Sequence, residues 1–238
     1  MKYSEKEYKE FSEILAKSKY ELIGVRLPII RKIASRCSKN ILKDNLDFKL
    51  LLDEFYKYIT TNCISTNKSC VKFEEVMLYG IMVVTSPLSD NIKIDYIRDF
   101  VYLIKDWSVC DSVCASIKVE SKGILYEFAK NLSNCDDEFI LRFMIVIFMR
   151  YFMEEEYLDD IIKIIGSINV EFYYTNMAIA WWLSDLYVYS KDRYMNIVNE
   201  KQFNGYIINL SIRKIIDSYR VSREEKECIK KLKQTERF

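Results

Sequence analysis

Apolar residues recur along the chain at intervals of three and four, with charged residues between them, and short polar joints interrupt the pattern at regular distances. That pattern predicts a succession of helices. Ser4 and Glu7 have capping-box spacing and predict an amphipathic helix ending near Ser18. Pro28 then sits where the first turn of a second helix, running to about Lys39, accepts a residue without an amide hydrogen. Further helices are predicted near 46–62, 71–85, 90–104, 108–118, 121–132, 137–153, 156–167, 171–189, 191–200, 204–218 and 222–234, the last opened by a second capping box, Ser222 with Glu225. The joints are short and no Gly/Ser/Pro-rich linker interrupts them; the obvious proline loop is TSPLSD at 85–90. One domain spanning 1–238 is therefore expected. Helical pairs repeating at roughly 40 residues predict an all-α chain built as an α-solenoid, a superhelix of HEAT-like antiparallel pairs with a concave binding face. Internal sequence similarity is faint, so a non-repeating helical bundle stays open as the alternative.

Composition supports the helical reading and narrows the chemistry. Half of the residues are hydrophobic, enough for a sizeable core, while 5 Gly and 2 Pro are too few for a sheet with many tight hairpins. Seven scattered cysteines without a CxxC pair, in a chain with no histidine, predict reduced thiols in a cytosolic, cytoplasmic protein and no common zinc site. The same lack of histidine removes Ser-His and Cys-His nucleophiles, leaving carboxylates, lysines, thiols and tyrosines. The first thirty residues read as charged helix rather than a signal peptide, and no apolar run of about twenty residues predicts a membrane span. Net charge is +1, but it is unevenly spread. Residues 1–60 carry 13 basic and 9 acidic side chains and residues 211–238 carry 9 and 5, so both ends are basic and the middle is acidic.

Four segments hold candidate chemistry. In DWSVCDSVCAS, 106–116, Trp107 and Asp111 are four apart and share a helix face, with Cys114 and Ala115 expected to continue it. The pair is either a core aromatic beside a solvated acid or an indole and a carboxylate aimed at one ligand. The helix FILRFMIVIFMRYFM, 139–153, is apolar around nearly its whole circumference yet carries Arg142 and Arg150. A guanidinium buried there needs an internal carboxylate or a bound phosphate. MAIAWWLSDLYVY, 177–189, sets small Ala178 and Ala180 beside Trp181, turns Trp182 toward the core, and repeats the Trp/Asp spacing with Asp185. The stretch 211–233 interleaves Arg213, Lys214, Arg220, Arg223 and four lysines with apolar residues, suiting either a phosphate backbone or a solvated helical end.

Taken in order, IGVRLPIIRKIA (23–34), FEEVMLYGIMV (73–83), IKDWSVCDSVCAS (104–116), LRFMIVIFMRYF (141–152), MAIAWWLSDLYVYS (177–190) and IRKIIDSYRVSREEK (212–226) resemble the AlkD family of DNA alkylation-repair glycosylases. The resemblance covers most of the chain and is most specific in WxxxD followed by RFxIV and AIAWxLS. It implies a HEAT-like solenoid that grips duplex DNA containing alkylated bases in a basic groove. The activity it implies is hydrolysis of the N-glycosidic bond of cationic N3- or N7-alkylated purines, with the base not drawn into a pocket, unlike typical base-flipping glycosylases.

By position, the resemblance makes Asp111 the catalytic carboxylate, Trp107 and Trp181 the aromatic walls for the deoxyribose, and Arg142 a phosphate clamp. Arg26, Arg31, Lys32, Arg150, Arg213, Lys214, Arg220 and Arg223 become the expected DNA contacts, while Trp182 and Asp185 acquire no such role. An alkylated purine departs readily, so a carboxylate that opposes an oxocarbenium-like sugar and orients water suffices, and no metal, redox cofactor or other cofactor is expected. The chain is expected to act as a monomer on double-stranded DNA and not at a membrane. Two other functions stay open: a non-catalytic module that binds DNA structures, suggested by the basic ends, and a HEAT-type protein-interaction scaffold, suggested by architecture alone. The placement of the acidic clusters 135–138 and 154–160 separates a DNA-gripping face from a repelling one.

Overall fold

The computed structural model describes residues 4–64, 70–168 and 171–233, and among them every regular element is helical. The thirteen α-helices are α1 (Lys6–Ala16), α2 (Leu27–Lys43), α3 (Phe48–Ile64), α4 (Phe73–Val84), α5 (Asp90–Phe100), α6 (Trp107–Cys114) and α7 (Lys122–Asn131), then α8 (Glu138–Tyr151), α9 (Glu155–Gly166), α10 (Tyr173–Tyr189), α11 (Lys191–Asn199), α12 (Gly205–Asp217) and α13 (Arg223–Lys230). Short 3-10 turns follow α5 and α7, and β pairing among the described residues is limited to a single bridge between Glu21 and Lys72. No described helix is long and apolar enough to cross a membrane. The chain divides into two compact units, residues 1–125 and 126–238.

Periodicity located each helix, and tertiary contacts moved several ends. Pro28 occupies the first turn of α2 as expected, and α2 runs a turn further than predicted, to Lys43. The Ser222–Glu225 capping box forms at α13, with the Glu225 amide on Ser222 Oγ (3.3 Å) and the Ser222 amide on Glu225 Oε2 (2.9 Å); residue 234, its predicted end, lies outside the described residues. The Ser4–Glu7 box does not form. Ser4 Oγ instead donates to the Ile23 carbonyl (2.7 Å) and the Glu5 amide to the Gly24 carbonyl (3.0 Å), so a long-range pairing takes the groups a local cap would use. The helix predicted over 108–118 ends at Cys114, because the Lys118 amide is drawn to the Val84 carbonyl (3.0 Å) and the Lys118 carbonyl accepts from buried Lys93.

Within each unit the even-numbered helices pack on one another, α2 on α4 and α4 on α6 in the first, α8 on α10 and α10 on α12 in the second. The odd-numbered helices α3, α5, α11 and α13 each pack against an even-numbered neighbour in sequence. This is the two-layer packing order of a helical solenoid. Its apolar basis is plain in α4 and α8: nearly every α4 side chain, and every side chain from Ile140 to Met149, is buried. Such all-round burial is what a helix apolar on all sides requires. In the second unit, Tyr194 of α11 meets Ser211 of α12 through their hydroxyls (2.8 Å), and burial pushes the Tyr194 phenol up to about 12.

Two features fix α4 in the first unit. Gly80 lies so close to the neighbouring helices that an added Cβ would stand 2.4 Å from the Phe100 ring and 2.8 Å from Val113 Cγ2. Glu74, 6% exposed, accepts the amides of Ile23 (2.9 Å), Gly24 (2.7 Å) and Val25 (3.0 Å), and so holds the loop entering α2. Gly24 itself has φ +93° and faces Lys9 and the Glu5 carbonyl too closely for any side chain. Glu74→Ala strands these amides and is expected to cost about 2–4 kcal/mol of stability, with Glu74→Gln costing less, both read from denaturant midpoints. Equal midpoints for Glu74→Ala and wild type would show that the carboxylate does not hold the loop.

Candidate functional site

In the first unit the site is built on α6. Asp106 is its N-cap: the side chain accepts the Val109 amide (2.9 Å), satisfying a donor that the first turn leaves open. Burial pushes the Asp106 carboxyl above the ordinary range, hydrogen bonds from Val109, Ser18 and Ser108 pull it back, and the charge of Asp111 adds to the rise. Val109, Cys110, Val113 and Cys114 are buried, Val113 against the bare face of Gly80. That leaves Trp107 and Asp111 half-buried and Ala115 exposed, one turn after another along one side. Cys114 does not continue that side as expected; it turns into the core, because α6 lies across α4 and buries a wider arc than one stripe. The Trp107 indole is anchored at its edge, Nε1 donating to the Leu15 carbonyl (3.2 Å). Tyr20, whose hydroxyl donates to the Leu103 carbonyl (2.9 Å), fixes the approach to α6.

Arg26, Arg31 and Lys32 lie at the cap and on the first half of α2. Arg26 is committed to Glu5 through Nε and Nη2, at 2.9–3.1 Å, and lies over the Tyr8 ring at 4.7 Å. The pairing holds the Glu5 carboxyl below its ordinary range and raises the guanidinium. Arg31 and Lys32 are exposed, and Arg31 reaches Ser116 at the foot of α6 (3.3 Å).

In the second unit, Arg142 is 6% exposed on α8, and Nη1 donates to the Tyr174 carbonyl at the start of α10 (3.0 Å). One turn earlier on α8, Glu138 accepts the Tyr174 amide (2.6 Å), and its carbonyl accepts from Thr175 (2.9 Å). Both peptide groups of Tyr174 are thus held by α8, and the first turns of the two helices lie side by side. Trp181 is half-buried on α10, next to buried Ala178 and Ala180. Trp182 is fully sealed in the core, as the spacing predicted, and its Nε1 lacks a partner. The second Trp/Asp pair is resolved by an ion pair: Asp185 is bound by Arg220. Arg150, Arg213 and Arg223 are exposed and Lys214 is half-buried.

The acidic clusters are largely occupied. Asp137 caps α8 through the Phe139 and Ile140 amides (2.9 and 3.1 Å), and Glu138 holds Tyr174. On α9, Glu155 and Asp159 bind Arg193 of α11, and Asp160 binds Lys130 (2.7 Å) and the Tyr126 hydroxyl (2.8 Å) of α7. These contacts hold the Asp160 carboxyl below its ordinary range. Glu155, Glu156, Asp159 and Asp160 belong to α9, while Glu138 shares α8 with Arg142. The sequence reading passed over Asp106 and Glu74; an Asp directly before the first apolar-periodic residue is a helix-start signal that identifies Asp106, whereas nothing local identifies Glu74.

Within each unit, stacked helices carry an indole and cationic side chains, Trp107 with Arg31 and Lys32 in the first and Trp181 with Arg142 in the second, in an all-helical protein. The chain belongs to the family of DNA alkylation repair enzymes, whose model matches residues 2–215. DNA repair, with DNA as substrate, follows from that membership. No curated protein and no solved structure matched the chain.

Because the folded state raises the Asp106 carboxyl, it holds that proton more tightly than the unfolded chain does, so this group adds stability as pH falls toward its unfolded value. Denaturant midpoints of wild type and Asp106→Asn, compared from about pH 7 down to about pH 4, are expected to diverge in favour of wild type. A difference that stays flat over that range would show that burial does not perturb Asp106.

Proposed function

We propose that the protein is a monofunctional DNA glycosylase that hydrolyses the N-glycosidic bond of cationic N3- or N7-alkylated purines in duplex DNA. The observation that carries this reading is the pair Trp107 and Asp111, one turn apart on the open side of a short helix fixed by its cap and by Gly80. They stand in the WxxxD of a chain that belongs to a DNA alkylation repair family.

The chemistry follows from these groups. As the bond between C1′ and the purine nitrogen breaks, its electron pair neutralises the cationic base and positive charge develops on the sugar. Asp111 opposes that charge and orients a water whose oxygen bonds to C1′, the released proton passing to the carboxylate or to solvent. The Trp107 indole adds cation-π attraction of about 0.5–2 kcal/mol to the cationic sugar, and Trp181 carries the same group on α10. Arg142, held at Tyr174, offers a guanidinium to a phosphate.

Wild type is expected to release 7-methylguanine or 3-methyladenine from methylated duplex, and Asp111→Asn to slow single-turnover release by about 100-fold or more. Full-rate release by Asp111→Asn would eliminate the carboxylate mechanism, and no release by wild type would eliminate the activity. One observation favours a second reading, a DNA-structure-binding protein without catalysis: Arg26 and Arg220 are spent on Glu5 and Asp185, which leaves a chain of net charge +1 with fewer cations for DNA. That protein would bind branched or damaged duplex in a salt-dependent way and release no base.

A further inference from the structure

A groove of about 490 Å³ runs between α2 and the segment that follows α6, wholly within the first unit. Arg31, Ser35 and Lys39 line it from successive turns of α2, and Ser116 and Lys118 line it from the opposite side, over a floor that includes Ala34 and Ile81. Three cations and several hydroxyls face this space and no carboxylate does. The chain is otherwise nearly balanced in charge, and two other grooves mix both signs: the one along α9 and α11 holds Asp159 and Glu200, and the one beside residues 18–22 holds Glu13 and Glu21.

The groove is also braced. Arg31 Nη2 donates to Ser116 Oγ (3.3 Å), which itself donates to the Ser112 carbonyl (2.9 Å), so the two walls are tied together. The Lys118 peptide is pinned on both sides, its amide to Val84 and its carbonyl to the ammonium of buried Lys93, which leaves its own exposed side chain at the rim. Hydroxyls and cations at fixed spacing around a carboxylate-free space are the chemistry of phosphate oxygens.

Position gives the groove its meaning. Ala115 and Ser116 line it, and Asp111 lies one helical turn before Ala115, about 6 Å along the axis. One DNA strand carries a charge about every 3.4 Å of duplex axis, so that turn corresponds to about two phosphates. A carboxylate repels phosphate and attracts a cationic sugar, and the groove does the reverse. We propose that the α2/α6 groove is a phosphate-binding subsite for the strand whose sugar faces Asp111, and that Lys39, Lys118 and Ser35 complete it with Arg31. This rests on the glycosylase reading for the identity of the sugar, and on the groove itself for the phosphate.

The test is binding of unmodified duplex, followed by fluorescence anisotropy across a salt series, for wild type, Lys39→Ala/Lys118→Ala and the charge-matched control Lys49→Ala/Lys57→Ala on α3, all at exposed lysines. The groove variant is expected to bind about tenfold or more weakly and to flatten the dependence of log K on log salt by about 1.8, while the control keeps the wild-type slope. Ser35→Glu, which places a carboxylate in the groove on an exposed helix position, is expected to weaken binding similarly. Circular dichroism of each variant guards against loss of fold. Equal slopes for the groove and control variants, or no salt-dependent binding by wild type, would overturn the subsite. Loss of slope in the groove variant together with no base release by wild type would uphold the subsite and remove the glycosylase reading.

Discussion

The bare Cα of Gly80 sets the position of everything on α6. Without a side chain at this point, Phe100 and Val113 close onto α4 at distances that no other residue permits. Burying Val109, Cys110, Val113 and Cys114 there commits the opposite side of the helix to the surface. Asp106 completes the constraint by fixing where the helix begins, so that Trp107 is its first residue and Asp111 follows one turn later. A helix of eight residues has little stability of its own, and its geometry comes from this packing and this cap.

Electrostatic sorting does the complementary task. A protein of net charge +1 handles a polyanion only if its acids are kept off the surface that the polyanion meets. In the second unit, Arg193 and Lys130 draw Glu155, Asp159 and Asp160 together on odd-numbered helices. Glu74, Asp106, Asp137 and Glu138 are turned inward onto backbone amides, where they organise loops and helix starts. Local charge, rather than the sum over the chain, therefore decides what each surface attracts. The groove beside Arg31 has no carboxylate in its lining.

The same economy shows in the cations. Arg26 and Arg220 read in the sequence as two more positive charges for DNA, but each is bound to an acid of the same chain, and Arg142 is held at a backbone carbonyl. A guanidinium held in this way is pre-oriented, so less rotamer entropy is lost when it meets a further partner. Exposed Arg31 is oriented as well, by Ser116.

The sequence by itself determined the helical class, the thirteen elements, the core role of Trp182 and the shared face of Trp107 and Asp111, because each depends on a period of 3.6 residues that apolar spacing records directly. It also held the Ser222–Glu225 box, whose partners are three residues apart. Tertiary structure alone decided that Ser4 would serve Ile23 instead of a cap, that α6 would stop at Cys114, that Asp185 would be taken by Arg220, and that Glu74 would bind a loop some fifty residues away. Each of these outcomes is a competition for one hydrogen bond or charge between a near partner and a distant one. Local spacing cannot record the distant partner, since it arrives only when the helices stack.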